Sequence, residues 1–437
     1  MDTGDTAFIL IAAAMVMFMV PGLALFYGGM VRAKNVLATV MQSFFVLGLV
    51  SVLWVVIGYS LAFGPGSSAF IGSFSYLGFA GVSGVNADLA PTVPHMAFAV
   101  FQLFFAAITL AIITGALAER MKFSAFALFA ALWLLLVYAP LAHWVWAPGG
   151  WLREMGALDF AGGTVVHISS GVAGLAAAAV LGKRQVFGRK VPPHNLPLTI
   201  LGAGMLWFGW FGFNAGSALS AGDTAANAFL TTNTAAGAAM LGWVVVDWVK
   251  HRKATTLGAV SGAVAGLVAI TPAAGFVGPL AAVLIGLAAG VACAFAVNLK
   301  FRSGYDDALD VVGIHAVGGI TGALLIGVFA SQAVNPAGAN GLLVGGGLAL
   351  LGKQALAVAA AAAFAFAGSW ILFKLVDKFV GLRVSAEDEH SGLDLAQHKE
   401  AGYIFDDAGD HPLVEAFQKK PKLKLGVRRQ AAGAIKD

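Results

Sequence analysis

Long apolar runs dominate this chain and restrict it to one class of fold. A helix needs about 20 apolar residues to cross the ~30 Å hydrocarbon core of a bilayer, and each run is long enough. Of 437 residues, 59% are hydrophobic and only 11% are charged, which excludes an ordinary water-soluble domain. We therefore expect an all-α integral membrane protein with eleven transmembrane helices, at 8–31, 36–62, 95–117, 123–146, 160–182, 197–218, 225–248, 256–273, 275–298, 311–333 and 354–376.

The charges between the runs predict the orientation. Thirteen lysines and arginines fall in alternate loops, whereas the loops on the other side contain only Arg153 and Lys353. Because basic loops stay in the cytoplasm, we expect the N-terminus outside and the C-terminus inside. The acidic start of the chain lacks the basic segment of a signal peptide, so the first run is expected to be a retained helix. The thirteen are Arg32, Lys34, Arg120, Lys122, Lys183, Arg184, Arg189, Lys190, Lys250, Arg252, Lys253, Lys300 and Arg302.

The end of the chain differs from the rest in polarity. Residues 1–380 are expected to form the transmembrane domain, and residues 381–437 a polar tail on the cytoplasmic side. Within the tail, 404–437 is expected to be flexible. Its basic end fits either a solvated segment or one that lies near anionic lipid.

Two histidines lie inside apolar runs in matching local sequences. Both His167 and His315 are followed by glycine four and seven residues later, the pattern H-x3-G-x2-G. An ionisable side chain in hydrocarbon is costly and by default indicates a functional site. The match relates the fifth run to the tenth, so each half has five helices and the halves run in opposite directions. We therefore expect two inverted five-helix repeats plus a final helix, with the site between them.

The histidine pair allows several interpretations. Two neutral imidazoles can share an N–H···N bond. Such a pair can serve either as a proton relay or as a row of polar groups along which a small hydrogen-bonding solute passes. Alternatively, each ring is a core histidine bonded to a backbone carbonyl. No acidic residue stands at ligand spacing, so neither a metal nor a cofactor is expected. Counting 1.5 Å per residue from the ends of the runs leaves about 12 Å between the rings, and contact requires a helix that begins below the interface.

Aromatic side chains cluster at the predicted outer mouth. Phe101 and Phe105 share a face of the third helix, Phe213 and Ser217 share a face of the sixth, and the fourth ends at Trp146. Aromatic faces with one hydroxyl form a cation–π site. The alternative is an interfacial aromatic belt.

Three further residues belong to this region or to its counterpart in the second half. Trp210 is expected to support the mouth or to belong to the aromatic belt. Asp159, at the start of the fifth run, fits either a helix-capping carboxylate or a direct cation ligand. Asp310 allows the same two interpretations at the inner start of the tenth run.

The composition of the pore limits what can cross it. Phenylalanine and histidine cannot replace the hydration shell of an ion, and a bare cation in a low dielectric is very costly. The conducted species should therefore be neutral, or should lose its charge at the mouth. The sequence contains no nucleotide-binding loop and no carbonyl filter motif, and we expect a transporter rather than an enzyme.

Six segments together resemble the ammonium transporter (Amt/Mep/Rh) family, in particular its bacterial Amt branch, over nearly the whole chain. The resemblance implies an eleven-helix, homotrimeric, channel-like transporter of the cell membrane with one pore per subunit. Its substrate would be ammonium, with methylammonium as a further candidate. The segments are 21–29 (PGLALFYGG), 115–120 (GALAER), 158–167 (LDFAGGTVVH), 209–217 (GWFGFNAGS), 310–315 (DVVGIH) and 381–385 (GLRVS).

The resemblance also implies roles for single residues. Phe105, Trp146 and Ser217 match the outer ammonium-recruitment site, and Phe105 with Phe213 matches the stacked phenyl gate beneath it. His167 and His315 match the twin histidines of the mid-pore, which places them in contact.

Support for the site comes from other positions. Asp159 matches the buried aspartate of the family, which is structural and needed for recruitment, and Phe101 and Trp210 are expected to support the site. In the tail, 387–400 resembles the regulatory segment that couples neighbouring subunits. Many relatives bind a trimeric PII-type protein at the cytoplasmic face. Here about 34 residues follow Tyr403, so regulation by a PII-type protein and regulation by the extension both stay open.

The sequence thus supports one main hypothesis and two rivals. The main hypothesis is ammonium uptake, in which NH4+ is recruited and deprotonated, NH3 crosses, and the proton either follows the histidine pair or returns outside. One rival is an ammonium sensor that signals through the tail. The other, a sodium-coupled transporter, would need a polar cluster around an ion at the midplane, and none is found.

Overall fold

A computed structural model describes residues 1–66, 68–189 and 191–403. Within these ranges the eleven predicted helices are present, and the all-helical fold class is confirmed. Ten of them are long and apolar enough to span a membrane, while α8 has only 15 residues. The predicted flexible extension 404–437 lies outside the described residues. The helices are α1 (Thr3–Met30), α2 (Ala33–Phe63), α3 (His95–Leu117), α4 (123–146), α5 (Gly163–Leu181), α6 (Leu196–Gly216), α7 (Asp223–His251), α8 (Thr256–Ile270), α9 (Pro279–Ser303), α10 (Val312–Phe329) and α11 (Ala349–Val380).

The start of α5 differs from the prediction. The run 160–182 predicted a helix from Phe160, but the helix begins at Gly163, with a π-helical turn. The Asp159 carboxylate accepts the backbone N–H groups of Gly162, Gly163 and Thr164 at 2.6–2.8 Å, and this cap leaves the segment before Gly163 non-helical. The helix that carries His167 therefore starts below the end of its apolar run.

The two helices that carry the histidines share an unusual turn. Gly163–Ile168 in α5 and Val312–Ala316 in α10 are both π-helical, with the histidine inside the widened turn. Such turns are rare and often occur at functional sites. Their presence at equivalent positions extends the sequence match between the two halves to the backbone.

A capping carboxylate also precedes each histidine by eight residues. Asp307 accepts the N–H groups of Val311 and Val312 at 3.0 and 2.7 Å, as Asp159 does at α5. Of the two interpretations left open for Asp310, the capping one is wrong, because Asp307 occupies that position. Asp310 has a positive φ of 63° and pairs instead with Lys300, at 2.5 Å.

Glycines let α5 and α10 approach at the level of the histidines. A Cβ on Gly171 would lie 2.2 Å from the backbone nitrogen of Ala316, which is too close for any residue with a side chain. On α10, a Cβ on Gly319 would lie 3.1 Å from the Cβ of His167. The glycine four residues after each histidine is therefore part of the contact between the halves, as small residues are in membrane helix pairs.

The described part of the tail packs against one end of the bundle, which we call the tail face. Asp394 accepts the N–H groups of Leu37 and Ala38 at the start of α2, at 3.1 and 2.8 Å. Nearby, Glu119 pairs with both Arg32 and Arg184 at 2.9 Å. Burial acts to raise the pKa of Glu119, but the two arginines hold it below its ordinary value. The opposite end, formed by residues 62–66, 68–73 and 143–162, is the vestibule face.

Candidate functional site: a pore between the two halves

A cavity of about 300 Å³ opens at the vestibule face. Five of the residues predicted for the outer mouth line it, namely Phe101, Phe105, Trp146, Asp159 and Ser217. The third, fourth, fifth and sixth helices thus contribute to one cavity, although these side chains are far apart in the sequence. The full lining is Leu89, Phe98, Phe101, Gln102, Phe105, Val145, Trp146, Arg153, Ala157, Leu158, Asp159, Phe160, Ser217, Leu219 and Phe276.

Two stacked phenyl rings close the floor of this cavity. The ring centroids of Phe105 and Phe213 lie 4.1 Å apart with the planes at 17°, and both side chains are buried. Phe101 and Trp146 pack edge-on against Phe105, at 4.8 and 5.9 Å. The stacked pair is thus held from two sides and separates this cavity from the region of the histidines below it.

The hydroxyl oxygen of Ser217 can accept a hydrogen bond in the vestibule. It follows the last residue of α6, and its hydroxyl donates to the carbonyl of Phe213 at 2.9 Å. A hydroxyl that donates its hydrogen inward keeps its oxygen lone pairs free to accept. The Ser217 oxygen can therefore accept an N–H from a cation that lies against the aromatic faces.

Trp146 is held in place from both ends. Its indole Nε1 donates to the carbonyl of Asp159 at 3.0 Å, and its own carbonyl accepts from Arg153 at 2.5 Å. These bonds orient the indole ring toward Phe105. Trp146 can thus offer a fixed aromatic face. This favours the interpretation as part of a cation–π site over the interpretation as a loosely placed residue of an aromatic belt.

The Asp159 carboxylate is occupied by its own helix. Besides the three N–H groups already described, it accepts the hydroxyl of Thr164. Burial raises the pKa of this carboxyl, and the hydrogen bonds from Thr164, Gly162 and Gly163 act in the opposite direction. With its oxygens engaged in this way, Asp159 is placed to orient the start of α5 rather than to bind a cation directly.

The two histidines lie below the phenyl pair and contact each other. Their Nδ1 atoms are 3.2 Å apart, and the rings are 1% and 4% exposed at His167 and His315 respectively. The separation of about 12 Å expected from residue counting was therefore wrong, because α5 begins late and both helices widen at the histidine. Trp210 stacks on His167 at 5.4 Å, and its Nε1 donates to Thr271 at 2.8 Å.

The contact through Nδ1 determines which ring nitrogens of the two histidines remain available to a solute. A shared N–H···N bond needs one ring with its hydrogen on Nδ1 and one with its hydrogen on Nε2. The two Nε2 atoms are then one acceptor and one donor. Nε2 of His167 is buried and has no hydrogen-bond partner among the described residues. His167 and His315 both line a narrow cavity of about 10 Å³, roughly the size needed for one water molecule, and its other walls are apolar.

Sequence reasoning missed two residues of this region. Asp307 is the capping counterpart of Asp159, and its eight-residue spacing to His315 was a signal available in the sequence. Gln102 lines the vestibule, and its Oε1 has no partner within the described part of the chain. Its signal was a polar residue between Phe101 and Phe105 at membrane depth.

The fold and the site together define a class of protein. Long apolar helices surround a narrow passage that begins at an aromatic vestibule and is buried around a histidine pair. The chain is therefore a multi-pass helical membrane protein with an aromatic cavity at one face and a buried histidine pair below it.

Comparison with known proteins gives the family. The model of the Ammonium Transporter Family matches residues 7–403, so the chain belongs to this family of transporters, as the motifs had predicted. An ammonium transporter of Bacillus subtilis is 54% identical over 404 residues, which are 92% of this chain and 99% of the relative. The crystal structure of Saccharomyces cerevisiae Mep2 is 38% identical with a TM-score of 0.83, covering 89% of this chain and 88% of that one. A structure described as a sensor Amt protein is 30% identical with a TM-score of 0.82, covering 90% and 98%.

Proposed function

We propose that this chain carries ammonium into the cell across the cytoplasmic membrane, with its vestibule face and N-terminus outside. NH4+ is recruited at Phe105, Trp146 and Ser217, where aromatic faces and a hydroxyl oxygen offset part of its hydration. Two features support this role. The Ser217 hydroxyl directs its hydrogen away from the cavity, and the cavity is lined by both aromatic rings.

The cation gives up its proton at the phenyl pair, so that NH3 and the proton pass separately toward the histidines below. Below Phe105 and Phe213 the passage is narrow and apolar except for the histidines, and an unsolvated cation there would be very costly. NH3 has no such cost and can donate to, or accept from, the two Nε2 atoms in turn. Movement of Phe213 or Phe105 admits it.

The proton follows the histidine pair. His167 and His315 share a bond through Nδ1, so a proton delivered to Nε2 of one ring can be matched by release from Nε2 of the other. This contact, between residues 148 apart in the sequence, is the observation that carries the proposal. Transport is then electrogenic, with one charge moved for each ammonium.

Paired measurements on proteoliposomes test this mechanism. An ammonium concentration step should produce a current, and ammonium accumulation in the same vesicles should match the integrated charge. Full activity without sodium removes the sodium-coupled alternative. Ammonium flux with no charge movement would contradict the relay and leave proton return to the outside as the mechanism.

We propose that the working unit is a homotrimer with one pore in each subunit. The support is membership of the family and the resemblance described above. Native mass spectrometry of the detergent-solubilised protein should give a mass three times that of the 44.7 kDa chain. A monomeric species that transports would contradict this assignment.

The tail is proposed as a regulatory element and the tail face as the cytoplasmic docking site of a PII-type protein. The segment 381–403 is joined to α2 through Asp394 and to the loop after α5 through Glu389, which accepts the Gln185 N–H at 2.6 Å. A purified PII-type trimer should bind the full chain in detergent, and deletion of 404–437 distinguishes the extension from the packed segment. A sensor role is not proposed, because it rested on the extension alone.

A further inference from the structure

Arg153 is a side chain at the vestibule that helps to hold Trp146, but the proposed mechanism gives its positive charge no role. It belongs to the short helix Trp151–Met155, is exposed, and lines the cavity together with Trp146 and Asp159. A positive charge in a cavity that recruits a cation needs an explanation, since the two repel each other.

The charge of Arg153 is not neutralised by a neighbour. No carboxylate lies within ion-pair distance of it among the described residues. The adjacent Glu154 accepts the Gly149 N–H at 3.2 Å, and the oxygens of Asp159 hold the start of α5. The guanidinium therefore lies beside the cavity without an ion-pair partner among the described residues.

The one side-chain hydrogen bond of Arg153 in the described structure places that charge next to the proposed recruitment site. Its Nη1 donates to the carbonyl of Trp146, the last residue of α4, where carbonyl groups at a helix C-terminus favour a cation. The indole of the same residue packs against Phe105. The charge and the aromatic face thus belong to one rigid corner.

We propose that Arg153 sets the affinity for the ammonium cation by opposing its approach to the vestibule. This inference rests on the proposed function. At separations of roughly 5–10 Å through water, one unit charge changes the local concentration of a monovalent cation by about two- to fourfold. The effect acts on charge alone, so it is the same for ammonium and methylammonium.

The substitution Arg153→Gln tests the proposal in proteoliposomes. At low ionic strength it should lower KM by about two- to fourfold for both substrates and leave kcat near the wild-type value. In about 1 M sodium chloride, where the screening length falls to about 3 Å, the KM of wild type and variant should coincide.

Two further variants separate charge from structure. Arg153→Lys keeps the charge and should retain the wild-type KM and its salt dependence. Lys353→Gln removes a charge from the same face of the protein, where the amine lies against Gly156 outside the cavity lining, and should change KM less than Arg153→Gln does.

Several outcomes would overturn the proposal. An unchanged or raised KM in Arg153→Gln would show that the residue only supports Trp146. Equal behaviour of Arg153→Lys and Arg153→Gln would show that charge is not the cause. Failure of the proposed function looks different, because the wild type itself would then show no ammonium-dependent flux.

Discussion

The two ends of the pore are built on the same frame but in different surroundings. At α5 and at α10, a carboxylate caps the helix start eight residues before a histidine, and the histidine lies in a π-helical turn. Asp159 borders an open aromatic cavity. Asp307 lies beside Lys300, whose amine bonds to the Asp307 carbonyl at 2.9 Å and to the Asp310 carboxylate.

The surroundings change what each carboxylate does. Burial raises the pKa of both Asp159 and Asp307, but only Asp307 has a nearby ammonium group, Lys300, that acts in the opposite direction. Asp159 is held by four donors from its own helix start, and Asp307 by two. The repeated frame therefore supplies the position of the histidines, and the surroundings supply the difference between an aromatic-lined end and an ion-paired end.

Replacing each of the two capping carboxylates should have the largest effect, and the effect should differ between the two ends. Asp159→Ala leaves four donors without their acceptor and should lower the free energy of unfolding by about 3 kcal/mol, whereas Asp307→Ala leaves two and should cost about half as much. Thermal unfolding in detergent, followed by intrinsic fluorescence, measures both. A larger loss in Asp307→Ala would contradict the account of the caps.

Alanine substitutions at the two equivalent glycines test how closely α5 and α10 must approach each other. Gly171→Ala places a Cβ against backbone and should cost about 1–3 kcal/mol, separate the histidines and abolish transport. Gly319→Ala meets its neighbours only at 3.0 Å or more and should keep measurable transport. Gly204→Ala on α6 is the control, since a Cβ there meets nothing within 4 Å. Equal transport in the Gly171 and Gly319 variants would show that close approach of α5 and α10 is not required.

A smaller effect is expected at the recruiting end. Ser217→Ala removes the acceptor oxygen and should raise the KM for ammonium by about fivefold, a loss typical of one hydrogen bond, with little change in kcat. Thr321→Ala, a hydroxyl on the opposite half whose Oγ1 donates to the carbonyl of Val317, serves as the control. A fall in kcat at constant KM would show that Ser217 acts in the passage and not in recruitment.

The sequence predicted the fold well because apolar runs and loop charges report directly on membrane crossing. It predicted the vestibule residues and the histidine pair as candidates, and the structure brings these side chains together. The predicted distance between the two histidine rings was wrong. Residue counting assumes that a helix fills its apolar run, whereas the Asp159 cap makes α5 begin three residues later. Asp307 was missed because only Asp310, next to the start of the tenth run, was considered there, although Asp307 repeats the eight-residue spacing of Asp159 to its histidine. Arg153 entered only as a charge in a loop, since its place beside Trp146 depends on the fold.

The histidine contact is the centre of the account, and one measurement tests it directly. Reconstituted His167→Ala/His315→Ala protein should assemble as the wild type does, yet give no current after an ammonium step. His95→Ala, which replaces a buried histidine outside the pore, should keep the current. Wild-type currents in the double variant would contradict a proton relay through the pair.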